Sequence, residues 1–265
     1  MADHTTQTIS DVMDPARACA MQATLGLSPD IAYGSALPPF FHQLYFWDPQ
    51  PPQALGRDGH PMLGGLIPDL GLPRRMWASG RLAFHQPLVA GIKAEKTTTI
   101  EAVTQKEGAQ GPLAFVRLRH DIRQRHAITL TEWQDLVYRP EAQRDDTPPQ
   151  PTTARIDEEH SESHRFDPTL LFRYSALTFN GHRIHYDRPY ARRVEGYSDL
   201  VVHGPLLAQL LMLMAQGQLG RPIATFDYRA TTPLFENETA TFCWKSGDAW
   251  VRGVDGRVCM TARAS

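Results

Sequence analysis

The chain has 265 residues, room for one large domain or two of about 130, and its 42% hydrophobic residues can fill a sizeable core. Twenty-seven Lys and Arg against 29 Asp and Glu leave a net charge of −2, which excludes the basic footprint of a nucleic-acid binder and any general pull toward anionic membranes. The longest apolar stretch, 205–215, falls well short of the roughly 18 residues that span a bilayer, and residues 2–10 are too polar for a secretory leader. Three cysteines, Cys19, Cys243 and Cys259, are an odd number with no close pair and read as reduced thiols. The expectation is a cytoplasmic protein with no nucleic-acid partner, no membrane partner and no disulfide framework.

In chain order, the first element is a helix: Asp14 can cap it, Pro15 suits its first turn, and Ala16, Ala18, Ala20 and Ala23 carry it to Gly26. Residues 38–75 are dense in Pro, Gly and aromatics, which predicts a long loop covering a pocket. Strand signals follow at 93–104, 114–123 and 127–138, rich in Thr, Val and Ile, with short turns at 106–112 and 124–126 that favour antiparallel neighbours. Residues 142–163 are polar and Pro-rich and read as a linker, dividing a unit at 1–141 from one at 164–265.

In the second unit, Asp167 and Pro168 open a short helix through Ala176. After a loop rich in His and Asn, Gly204 and Pro205 introduce a helix bearing Leu206, Leu207, Leu210, Leu211, Met212, Leu213 and Met214. It is apolar on nearly every face, so it must be buried all round. Strand-like runs follow at 223–232, 238–245, 249–254 and 257–263, with turns at Gly247-Asp248 and Asp255-Gly256. One buried helix followed by an antiparallel meander able to wrap it is the order of a hotdog domain. Two units on this plan predict an α+β double hotdog, each half a helix wrapped by an antiparallel sheet.

The densest group of chemically capable side chains is 178–187, which leads through His203 and Gly204 into the buried helix. A histidine takes or gives a proton near neutral pH, and the first free N–H groups of a buried helix can hold a developing oxyanion. The pair suits chemistry beside a thioester carbonyl; a His-rich loop satisfied by its own backbone is the plainer alternative. His182, His185 and Asp187 also make a two-His, one-carboxylate pattern. That spacing suits a helix face, which Gly181 opposes, so no metal is expected. The glycines of 59–65 lack the Lys-Ser/Thr of a phosphate loop, and no G-x-S-x-G is present. His85, His120 and His126 read as structural, and Tyr190 as a wall residue.

The run 174–190, Tyr-Ser-Ala-Leu-Thr-Phe-Asn-Gly-His-Arg-Ile-His-Tyr-Asp-Arg-Pro-Tyr, with 195–205 after it, resembles the type-2 hydroxyacyl-thioester dehydratases. These belong to the wider MaoC-like enoyl-thioester hydratases, which are hotdog proteins, and the likeness is to the branch that hydrates itaconyl-CoA or mesaconyl-C4-CoA to citramalyl-CoA. Residues 63–68 and 76–82 look like that branch's N-terminal hotdog, which lacks catalytic residues and contributes to the acyl or CoA pocket. The resemblance implies a hydro-lyase of itaconate degradation. His185 would be general base and acid, Asn180 would orient water or the acyl group, and Gly204 would donate its N–H to the thioester oxygen. His182, Arg183, Tyr186, Asp187 and His203 would bind substrate. No cofactor is implied beyond the CoA of the substrate, and a homodimer is allowed. Arg74-Arg75 and Arg192-Arg193 read as solvated pairs, one of which can meet CoA phosphates.

One position departs from the family pattern: Asn180 stands where the wider family has Asp, five residues before the histidine. A carboxamide cannot accept the proton of water, which leaves the base role to His185, with Asp187 as a candidate to orient it. A neutral residue there suits an acyl group with a second, free carboxylate, because Asp would add a like charge. The rivals are dehydration of an acyl-carrier-protein thioester in fatty-acid synthesis, a non-catalytic acyl-thioester-binding protein, and a thioesterase, for which only Asp187 offers a carboxylate.

Overall fold

The first half opens with β1 (Thr6–Val12) and α1 (Pro15–Thr24), then passes through a long loop to β2 (Arg74–Phe84), β3 (Lys93–Gly108), β4 (Gly111–Gln124) and β5 (Ala127–Arg139). The computed structural model describes residues 6–108, 111–141 and 150–265. The second half repeats the order with more helix: β6 (His160–Arg165), α2 (Pro168–Leu177), α3 (Arg188–Arg193) and α4 (Gly204–Leu219), then β7 (Thr225–Ala230), β8 (Thr239–Lys245), β9 (Asp248–Arg252) and β10 (Val258–Ala264). Among the described residues, the strands form one antiparallel sheet in the order β1-β3-β4-β5-β2-β7-β10-β9-β8-β6. Each half supplies five strands in matching order. They join where β2 pairs with β7, Ser79 opposite Arg229 and Ala83 opposite Thr225.

Local chemistry accounts for the helix starts. Asp14 Oδ1 accepts from Ala16 N and Asp167 Oδ1 from Leu170 N, each acid followed by a proline already set for the first turn. Helix α4 is the buried helix its composition demands. Leu206, Leu207, Leu211 and Met212 are at most 3% exposed, and the helix lies against β7, β8, β9 and β10. Each such side chain contributes about 1.5–3 kcal/mol by leaving water. Gly220, with φ of 63°, ends the helix in a conformation that disfavours a side chain.

The first half keeps the sheet but not the long helix: α4 has no counterpart among its described residues. The prolines and glycines of 38–73 forbid one, and loop side chains cover the sheet instead. Phe40, Phe41, Leu44, Tyr45 and Phe46 are buried there, while Leu63, Ile67, Leu70 and Leu72 pack on Ala114, Val116, Leu136 and Tyr138 of β4 and β5. A loop fills this space less completely than a helix would. A cavity of about 890 Å³ remains between loop and sheet, with His42, Lys96, His120 and Glu132 among its lining residues.

Several boundaries differ from expectation. Strand β6 begins at His160, inside the stretch read as linker and before the unit boundary at 164; residues 142–149 of that linker lie outside the described residues. Both β1 and β6 are edge strands, and their polar sequences lack the apolar alternation that announces a strand. The turn expected at 106–112 is shorter, since β3 runs to Gly108 and β4 starts at Gly111. The turn after β8 sits one residue early: Ser246 and Gly247 carry the positive φ values, and Asp248 already belongs to β9. No helix among the described residues is long and apolar enough to cross a membrane.

Candidate active site

Helix α2 ends at Thr178, and the chain turns back on itself. Asn180 N donates to Ser175 O at 2.8 Å, and Asn180 Oδ1 accepts from His182 N at 3.0 Å. This small turn, followed by a 3-10 turn at Arg183–His185, drives the His185 ring inward until it is 6% exposed. Its Nδ1 lies 2.7 Å from the carbonyl oxygen of Val201. A carbonyl can only accept, so Nδ1 carries the hydrogen and Nε2 the lone pair. Burial pushes the imidazole down to about 4, against the help of that bond, so the ring is neutral at pH 7.

The His203 ring stacks on His185 at 3.7 Å between centroids, 20° from parallel, and its Nε2 meets Ser175 Oγ at 2.8 Å. His203 is the residue before α4, so the same contact that fixes the His185 plane fixes the helix start beside it. At that start Gly204 N–H has no hydrogen-bond partner among the described residues, as expected of a first-turn amide. A neutral basic nitrogen near a free helix amide can take a proton while the amide steadies negative charge on a carbonyl oxygen.

The first half completes the site. Gly59 lies so close to Gly181 that a Cβ on it would stand 2.0 Å from the Gly181 carbonyl oxygen. Arg183 N donates to Asp58 O at 2.8 Å and Arg183 Nη1 to Arg57 O at 2.9 Å. Trp47 stacks on Phe179 at 4.8 Å. These contacts bring His60 to 4.5 Å from His182, which in turn sets its edge toward His185 at 5.4 Å. His60 Nδ1 bonds Asp58 Oδ2 at 3.0 Å. Burial holds the His182 imidazole far below its ordinary value, with the fields of His60, His185 and Arg75 acting the same way.

Not every residue expected at the pocket is there. Asp187 does not orient His185: its Oδ1 caps α3 through Tyr190 N at 3.1 Å, and its Oδ2 is held by Arg183 at 2.7 Å. Arg183 is occupied by that carboxylate and lies over the Tyr190 ring at 4.2 Å, so it ties loops together rather than facing substrate. The Tyr186 hydroxyl donates to Gly181 O at 2.8 Å, making it a strap on the loop. His203 is fully buried behind His185 and supports that ring instead of lining a pocket. Asn180 and His182 remain beside His185, with the Asn180 oxygen engaged in the turn. Arg74 bonds Glu195 at 3.0 Å and Arg75 lines the cavity, so this pair is not a solvated one.

The histidine and carboxylate pattern of 182–187 is not assembled, because the His185 Nδ1 and Asp187 are both engaged elsewhere. Another trio is: donor atoms of Asp58, His60 and His182 lie within 4.8 Å of one another. Arg75 acts on all three with a positive field, and that field favours an anion over a metal ion. Asp58 and His60 went unrecognised in the sequence because they sit in a loop remote from the histidine run. The His60 between Gly59 and Pro61 was their one signal.

A neutral histidine beside a buried helix start can do acid–base chemistry at a thioester carbonyl, and two five-strand sheets joined edge to edge are the plan of the double hotdog class. The family model for hydroxyacyl-thioester dehydratase type 2 matches residues 40–236, and the chain belongs to that family. A protein of Chloroflexus aurantiacus named mesaconyl-C(4)-CoA hydratase is 46% identical over 235 residues, covering 87% of this chain and 83% of its own. In fold, the chain is similar to a MaoC-like dehydratase from Phytophthora capsici, with a TM-score of 0.72, 13% identity and coverage of 99% and 96%. It is similar too to a Mycobacterium tuberculosis protein described as a double hotdog fold, with a TM-score of 0.64, 13% identity and coverage of 100% and 96%.

Proposed function

We propose that this chain is a hydratase of short unsaturated acyl-CoA thioesters, with mesaconyl-C4-CoA and itaconyl-CoA as substrates and citramalyl-CoA as product, acting in itaconate degradation. The observation that carries the reading is His185, neutral and with its bare Nε2 fixed in place beside the free Gly204 amide. His185 Nε2 takes a proton from water as the oxygen adds to the substituted alkene carbon. The alkene electron pair moves into the thioester, and Gly204 N–H holds the resulting enolate oxygen, an interaction contributing about 3–4 kcal/mol in comparable sites. The imidazolium proton then passes to the α-carbon, which restores the neutral ring and leaves one water added. Asn180 Nδ2 has donors free to hold the water or the acyl group. Itaconyl-CoA carries its double bond one carbon further from the thioester and converges on the same product. The chemistry needs no metal or redox cofactor.

The family description favours a second reading, dehydration of a 3-hydroxyacyl thioester. Charged and polar groups on the cavity wall, among them Lys96, Glu132 and Arg75, count against a long alkyl chain there. The test is incubation with mesaconyl-C4-CoA, itaconyl-CoA, crotonyl-CoA and long-chain enoyl-CoA, followed by mass. Gain of one water on the C5 dicarboxylic thioesters is expected; preference for the long chain overturns the substrate assignment. Released CoA would mean a thioesterase, and no change a binding protein. The reading carries with it a cytoplasmic setting, in keeping with the free thiols of Cys19, Cys243 and Cys259, and a homodimer as the simplest assembly.

A further inference from the structure

The arginines around the site differ in what they hold. Arg57 is bound by Glu141, Arg74 by Glu195 and Arg183 by Asp187. Arg75 has neither an ion pair nor a hydrogen bond among the described residues, yet it is half-buried on the cavity wall with Asp58 and His60. The β2–β5 register sets it opposite Tyr138, whose hydroxyl is buried without a partner. The acid in the same wall, Asp58, is already bonded by His60 at 3.0 Å. Lys96 faces the cavity too, but it lies in the fields of Glu132 and Asp48. A half-buried guanidinium and a buried phenol hydroxyl, both unmatched and side by side, are donors waiting for an acceptor from outside the chain.

We propose that Arg75, with the Tyr138 hydroxyl beside it, holds the free carboxylate of the acyl group and so selects dicarboxylic over plain enoyl thioesters. The assignment rests on the hydratase reading given above. The chain of rings from His185 to His182 to His60, at 5.4 and 4.5 Å between centroids, leads from the reacting carbon to the wall that bears Arg75. In mesaconyl-C4-CoA the carboxylate is borne on the carbon that receives the hydroxyl, so a donor that holds it also fixes where that carbon stands relative to His185. Arg183, expected among the substrate-binding residues, is committed to Asp187.

The test measures kcat/KM for mesaconyl-C4-CoA, its C1 methyl ester and crotonyl-CoA in wild type, Arg75→Gln and Arg75→Lys. The ratio of mesaconyl-C4-CoA to crotonyl-CoA should fall about 100-fold in Arg75→Gln, as for removal of one partner of a desolvated charge pair, and recover in part in Arg75→Lys. Wild type should disfavour the methyl ester by a similar factor. A ratio that moves less than threefold overturns the assignment, including a parallel fall on both substrates, which would place Arg75 on the CoA phosphates. Should Arg75→Gln fail to fold, equal use of acid and ester by wild type overturns it alone. Wild type that hydrates crotonyl-CoA and no dicarboxylic thioester would sink the functional reading instead.

Discussion

Gly59→Ala tests whether the first half builds the site or merely stands beside it. The new Cβ would lie 2.0 Å from the Gly181 carbonyl oxygen, where real Cβ contacts begin at about 3.0 Å, so one loop must retreat by roughly 1 Å. That carbonyl also accepts the Tyr186 hydroxyl, and Gly181 lies between Asn180 and His182, so the retreat is felt by the residues that seat His185. A misplacement of this size in a catalytic constellation costs about 100-fold in rate. The substitution also forces Ala to a φ of 89°, a further cost of about 1–2 kcal/mol in stability. Gly26→Ala isolates the second effect, because Gly26 has a φ of 75° and open space around it. The assay is kcat/KM with thermal unfolding for both variants. Gly26→Ala should lose stability and keep its activity; Gly59→Ala should lose both. Activity within threefold of wild type in Gly59→Ala would refute the two-half site.

His185→Gln should lower turnover by about 10²–10⁴-fold, the usual share of general acid–base catalysis, and a folded variant with near-normal turnover would remove the base from this position. Asn180→Asp keeps an acceptor for His182 N but adds a charge; two charges about 5 Å apart at an effective dielectric near 20 repel by about 3 kcal/mol, so the kcat/KM ratio of mesaconyl-C4-CoA to crotonyl-CoA should fall by up to about 100-fold, and a fixed ratio counts against a nearby carboxylate. Burial holds His120 and His185 each at about 4, below the ordinary 6.5, so the unfolded chain binds the extra protons. Their stabilising effect is full above pH 6.5 and is lost as pH falls toward 4, about 2 kcal/mol for each ring at pH 5. Urea unfolding at pH 8 and pH 5 would read this out, and equal midpoints would mean that neither ring is buried neutral.

Features set by neighbouring residues were legible in the sequence, and those set by distant ones were not. The acid-proline starts of α1 and α2 and the all-round apolar face of α4 are local, as is the clustering of His182 and His185 in one short turn. Whether Asp187 orients His185 is not readable from sequence, because proximity does not reveal direction: a residue at a helix N-cap turns its carboxylate toward backbone amides, here Tyr190 N. Asp58 and His60 give little signal in the sequence because their meeting with His182 depends on a contact such as Arg57 with Arg183, 126 positions apart. The edge strands β1 and β6 escaped for a different reason, since a strand with one solvated face and one free edge needs little apolar pattern. The missing first-half helix was half legible: prolines and glycines announced a loop, and only the sheet behind it made that loop the roof of a cavity.

The joint between β2 and β7 bears on stoichiometry. Two separate copies of the five-strand plan would meet across a twofold axis at this seam and would carry two equivalent centres. A covalent tether removes that obligation, because the seam closes at an effective concentration set by the connecting chain and not by dilution. The halves are then free to differ, the second holding the histidine turn and the buried helix, the first holding a loop-roofed cavity where a helix would lie. On the proposed hydratase reading, each polypeptide would carry one catalytic centre, titrate with one thioester, and keep its specific activity on dilution as far as this seam is concerned.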